Sequence, residues 1–196
     1  MAILKILKYG DPILRQKAKE VSKISKKVRT LIENMIDTMY ANNGVGLAAP
    51  QVGESLRIFV IDVSKDDEPY HPIVFVNPKI IKKEGAMCPK EGCLSFPEAF
   101  VQVRRYSEVK VKALDINGRP FVLEAKNGEL LAYAIQHEND HLDGILFVDH
   151  ARNIFDATEA LKANNLPQLE DDKLLNEEAL EELILQKEAN SKSEER

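Results

Sequence analysis

Residues 136–141 read Gln-His-Glu-Asn-Asp-His, and the pair His137 and His141 constrains this chain more than any other feature. Residues four apart on an α-helix share a face, so both imidazoles project to the same side, close enough to hold one ion. A helix is predicted from about residue 129 to about 142, with Leu130, Ala134, His137 and His141 on its buried face. Gly144 follows as a C-terminal stop. Two histidines on an otherwise apolar stripe need a polar partner inside the fold, and a metal ion provides one. Three specified residues can recur by chance on a solvated helix. The chain has only four histidines, however, and two of them fall here. Glu138, next to the first histidine, is badly placed to ligate alongside both imidazoles and well placed to act as a general base.

The rest of the chain surrounds that helix. Residues 25–42 form an amphipathic pattern with Val28, Leu31, Ile32, Met35, Ile36 and Met39 on one face, Ser25 as N-cap and Asn42-Asn43-Gly44 as the stop. GVGLAAPQVG, residues 44–53, holds three glycines and a proline and is expected to be loop. Residues 56–63 and 73–76 are strand-like, with a separate short strand expected around Ile80 and Ile81 after Pro78. Residues 109–114 alternate, Asn117-Gly118 signals a hairpin, and residues 121–125 return. This order predicts an α+β fold with a mostly antiparallel sheet packed around a central metal-binding helix, followed by a C-terminal helix and tail.

With 44% hydrophobic and 30% charged residues, the 196-residue chain can bury a real core. Residues 157–196 hold 11 acidic and 5 basic residues, a net of −6. The remainder, with 22 basic and 21 acidic, is nearly neutral. A basic footprint for nucleic acid is missing, and no run approaches the ~20 apolar residues of a membrane span. Two cysteines, five positions apart, exclude a disulfide scaffold and suit a reducing, cytoplasmic setting. The expected division is a catalytic domain over 1–156 and an acidic helix with a disordered tail over 157–196.

A catalytic site of this type needs a third protein ligand and one open position. The metzincin pattern HExxHxxGxxH matches as far as Gly144, but Phe147 stands where its third histidine belongs. A zinc endopeptidase drawing on Glu159 remains open, without a supporting motif. Cys93, in Glu-Gly-Cys-Leu-Ser-Phe-Pro-Glu, sits in a segment constrained by Gly92 and Pro97. It fits a catalytic ligand, a buried thiol, or one member of a closed structural zinc site with Cys88, His137 and His141.

GVGLAAPQVG, EGCLSFPE and QHENDHLDG, in this order and spacing, resemble the three signature segments of peptide deformylases, and the likeness extends from about Ile3 to about Asp149. The resemblance implies hydrolysis of the formyl group from N-terminal formylmethionine of nascent polypeptides. It implies one divalent ion held by Cys93, His137 and His141. Ferrous iron is the favoured native metal, and zinc, nickel or cobalt are compatible with the same ligands. Water activated at the ion attacks the formyl carbonyl, with Glu138 as general base and then acid. The Gln51 side chain and the Leu94 backbone N–H stabilise the carbonyl oxygen. By position, Val45, Phe96, Leu130, Tyr133 and Ala134 line the methionine pocket beside His137, while Gly46 and Arg105 hold the peptide chain. Tyr133 departs from the aliphatic residue usual there. The implied partners are formylmethionyl nascent peptides, with transient proximity to the ribosome. The acidic tail does not support carrying over the basic helix by which some family members contact it.

Overall fold

A computed structural model describes residues 2–64 and 69–169, together with Glu178, Glu181, Glu182 and Leu185. Helix α1, Lys26–Ala41, begins where expected: the Ser25 hydroxyl accepts a hydrogen bond from Val28 N–H, supplying one of the donors a first turn leaves open. Its stripe of Ile32, Met35 and Met39 is fully buried.

The main sheet is antiparallel, in the order β1-β2-β3-β6-β7, from Gly46–Ala48, Ile58–Ile61, Ile73–Glu84, Glu108–Leu114 and Pro120–Ala125. Strand β2 explains how one sheet serves two helices. Side chains alternate across a strand. Ile58 and Val60 accordingly pack with Ile32, Met35 and Met39 of α1. Phe59 and Ile61 pack with Ala132, Ile135 and Leu142 of the second helix, α2, Leu130–Asp143. The sheet is therefore filled on both faces at β2, and α2 lies in the interior.

Two expectations change. Residues 44–53 are not all loop: Gly46–Ala48 pairs with β2, and Ala49–Val52 is a 3-10 turn. The break expected at Pro78 is instead a bulge inside one continuous strand, β3. Asn77 takes φ +51°, the register shifts between Val76 and Lys79, and the Asn77 side chain pairs with both backbone groups of Val21. The Cys93 segment, constrained by Gly92 and Pro97, leads into the turn of a hairpin, with Leu94 and Ser95 joining β4, Lys90–Cys93, to β5, Phe96–Gln102.

The C-terminal end of α2 is held on three sides. Gly144 closes it at φ +73°, with its N–H bonded back to the last turn. A Cβ on Gly144 would lie 2.5 Å from the Arg15 carbonyl oxygen. Ala18 N–H and the Arg57 guanidinium both reach the Leu142 carbonyl, and Arg57 also pairs with Asp143 at 2.8 Å. A last helix, α3, Ile154–Ala163, buries Ala157 and Leu161 in the cluster containing Phe96 and Phe147. The stripe expected at Leu180, Leu183 and Ile184 lies outside the described residues. Of the helical residues described nearby, Glu181 accepts from Arg104 Nε at 2.5 Å and lies 3.5 Å from Arg152.

Candidate metal centre

Helix α2 and the β4–β5 hairpin bring Cys93, His137 and His141 together, with one potential ligand atom from each lying within 4.8 Å of the others. Cys93 Sγ is 3.3 Å from His141 Nε2, and the imidazole centroids are 5.1 Å apart. Cys88 and Glu159 are not in this group. The Cys88 thiol packs beside Ala86 and Tyr106. Glu159 is 53% exposed and faces Lys162 along α3. Neither the closed four-ligand zinc site nor the endopeptidase reading has its extra ligand in place.

The electrostatics of the group suit a cation. Burial disfavours charge on His137, yet hydrogen bonds to Cys93 and Glu91 raise its pKa well above the usual imidazole range. A divalent ion can supply the positive charge that these groups attract. Burial and the neighbouring His137 charge hold His141 well below that range, in the neutral form a ligand needs. The Glu138 carboxylate lies beside the group, with its Oε2 buried and without a hydrogen-bond partner. Burial pushes its pKa up to about 7, against the pull of His137. Gly46 makes room for it, since a Cβ there would fall 2.4 Å from Glu138 Oε1.

Gln51 is fixed from both ends of its amide. Its Oε1 accepts from Ala48 N–H at 2.8 Å, and its Nε2 donates to Cys93 Sγ at 3.3 Å and to Ser95 Oγ at 3.2 Å. The Leu94 carbonyl accepts from Lys8 Nζ at 2.8 Å, which anchors the peptide unit following Cys93–Leu94. These groups border a cavity of about 540 Å³, well within the range of small-ligand sites. Val45, Gly46, Phe96, Leu130, Tyr133 and Ala134 all line it. Leu130 sits at the exposed margin, not on a buried helix face.

Arg105 is a correction. It is 2% exposed and does not line the cavity. Its guanidinium is held between Glu91, at 2.8 Å, and Asp140, at 2.5 Å, leaving it unable to grip a peptide. A buried cation must be paired, and these two carboxylates pair it. Asp140 also lies 2.9 Å from His150. Glu91 was not singled out from the sequence, yet its Oε2 lies 2.8 Å from His137 Nδ1. Burial alone would raise its carboxyl, but the Arg105 charge and the His137 hydrogen bond hold it at about 2. Its mark in the sequence is its place at the head of the EGCLSFPE segment, two positions before Cys93.

The chain is similar to known proteins in sequence and in fold. Residues 3–156 match the family described as polypeptide deformylase. A peptide deformylase from Heliobacterium modesticaldum is 50% identical over 153 residues, covering 78% of this chain and 97% of the relative. The crystal structure of a peptide deformylase from Legionella pneumophila superposes with a TM-score of 0.78 at 45% identity, covering 84% of this chain and 94% of that one. A Synechococcus elongatus peptide deformylase in complex with actinonin gives 0.79 at 42% identity, covering 88% and 90%. With the family matched over most of its length and relatives at half identity, the chain belongs to the polypeptide deformylase family.

Proposed function

We propose that this chain hydrolyses the formyl group from the N-terminal formylmethionine of nascent polypeptides, releasing formate and a free amine. The observation that carries this reading is the convergence of Cys93, His137 and His141 beside an unpartnered buried carboxylate, Glu138, in an apolar cavity.

Cys93, His137 and His141 would hold one divalent ion. When bound, the ion acidifies water and polarises the formyl carbonyl. Glu138 accepts the proton of the attacking water and returns it to the departing amine, so the proton count closes within one carboxylate. Gln51 exchanges one of its two weak donor contacts for the formyl oxygen, and the Leu94 N–H adds a second donor. Loss of one such donor typically costs about 10²–10³ in rate. Phe96, Ala134, Tyr133 and Leu130 surround the methionine thioether, a flexible apolar chain suited to such a lining. The Gly46 backbone, on a strand paired on one side only, holds the peptide in extended form.

A thiolate with two imidazoles accepts ferrous iron, zinc, nickel or cobalt. Ferrous iron is our choice for the native metal, on family resemblance. Both cysteines are free, as a reducing cytoplasm favours, and nascent substrates would bring the chain transiently to the ribosome. No helix of the described residues is long and apolar enough to cross a membrane.

The test is formate release from formyl-Met-Ala-Ser by protein prepared without oxygen and loaded with ferrous iron or nickel. Rapid release, with little cleavage of the acetylated analogue, is expected. No release from folded, metal-loaded protein overturns the reading.

A further inference from the structure

The segment Leu7-Lys8-Tyr9 ties together the two pieces of chain that carry Gln51 and Leu94. The Leu7 N–H donates to the Gln51 carbonyl at 2.8 Å, and the Tyr9 N–H donates to the Ser95 carbonyl at 2.8 Å. Between them, Lys8 Nζ donates to the Leu94 carbonyl at 2.8 Å. Both neighbours of Lys8 are seated. Tyr9 is buried, with its ring stacked on Phe96 at a centroid distance of 4.4 Å, and Leu7 packs against the same apolar cluster. Lys8 itself is exposed and borders the cavity. Its backbone is thus already held, and only its side chain has to be ordered for the ammonium to meet the turn.

Leu94 is the residue on which these contacts bear. Before it, Cys93 is paired with Phe96 across the hairpin. After it, Ser95 Oγ accepts from Gln51 Nε2 at 3.2 Å. Its side chain lies in space that Gly44 leaves, since a Cβ there would fall 2.7 Å from Leu94 Cδ1. Peptide units are planar, so the chain at Leu94 can turn about two bonds only. Holding the Leu94 carbonyl therefore restrains the direction of the N–H on the same residue, and a charged donor holds a carbonyl more strongly than a neutral one. We propose that Lys8 is a positioning residue for the reaction: its ammonium grips the Leu94 carbonyl and so keeps the Leu94 N–H aimed at the formyl oxygen. This rests on the deformylase reading above and adds to it a residue outside the three signature segments.

The experiment measures kcat and KM for formyl-Met-Ala-Ser in wild type, Lys8→Met and Lys8→Arg, each per mole of bound metal. Removing a donor to the developing oxyanion costs about 10²–10³ in rate. Lys8→Met only loosens one, so kcat should fall about 10-fold, with KM within about 2-fold of the wild type. Lys8→Arg keeps a cationic donor and should recover most of that kcat. Metal content should be the same in all three proteins. Wild-type kcat in Lys8→Met, a loss confined to KM, a loss that follows metal content, or no recovery in Lys8→Arg overturns this proposal alone. No turnover by metal-loaded wild type overturns the deformylase reading and the proposal with it.

Discussion

Oε2 of Glu91 lies 2.8 Å from Nδ1 of His137, which leaves Nε2 as the ring atom His137 presents to Cys93 and His141. Outer contacts of this type fix the orientation and tautomer of a metal-binding imidazole, and losing one commonly weakens metal affinity about 10–100-fold. Glu91→Gln should therefore weaken binding of a divalent ion by that factor, read by competition with a chelator. Unchanged affinity would mean that the contact does not orient His137.

The ligand set separates the three readings of the HExxH helix. Cys93→Ala and His141→Ala should each lose stoichiometric metal and formate release. Cys88→Ala and Glu159→Ala should keep both, because neither residue joins the cluster. Metal analysis after gel filtration decides the matter, and release of the ion by Cys88→Ala would point to a closed structural site.

Glu138 and Gly46 should fail in the same way for different reasons. Glu138→Gln removes the base and should lower kcat by about 10²–10⁴ while retaining metal. Gly46→Ala keeps the base but drives a methyl to 2.4 Å from its Oε1, so the carboxylate must move. Steady-state rates on metal-quantified protein test both, and near-normal turnover of Glu138→Gln would remove Glu138 from the chemistry.

Acid stability should depend on Asp62, away from the metal group. Its Oδ1 accepts from Ser64 N–H and Oγ, and its Oδ2 accepts from Tyr40 Oη and His71 N–H. Burial would raise its pKa, but these hydrogen bonds outweigh that and lower it. A carboxyl that binds its proton more weakly folded than unfolded stabilises the fold fully above about pH 4. The stabilisation then fades as the pH falls through the lowered value. The gap in urea midpoint between wild type and Asp62→Asn should be widest near neutrality and shrink below about pH 4. A gap independent of pH would refute the assignment.

What could be read from the chain follows the range over which each feature is encoded. Ser25, Gly144 and the His137–His141 spacing act within one or two turns, and both helices begin and end close to where those residues place them. Strand β3 was misread as two pieces because Pro78 signals a break locally. The Asn77 bonds to Val21 that absorb it come from 56 residues away. Arg104 and Arg105 look equivalent in sequence. Only the positions of Glu91 and Asp140, 14 and 35 residues distant, show which one is buried. The hairpin at Cys93 lacked alternation because Gly92 supplies no side chain and Glu98 breaks the pleat.

The anchoring of α2 has a bearing on metal exchange. With Gly144 stopped against the Arg15 backbone, and with Ala18 and Arg57 holding the Leu142 carbonyl, the helix has little freedom to slide along its axis. The two imidazoles form the fixed jaw of a vice. The Cys93 sulfur is the other jaw, carried on a bend where the β4–β5 register shifts between Gly92 and Cys93. Substitutions in that hairpin, more than in the helix, should therefore shift which metal the chain prefers.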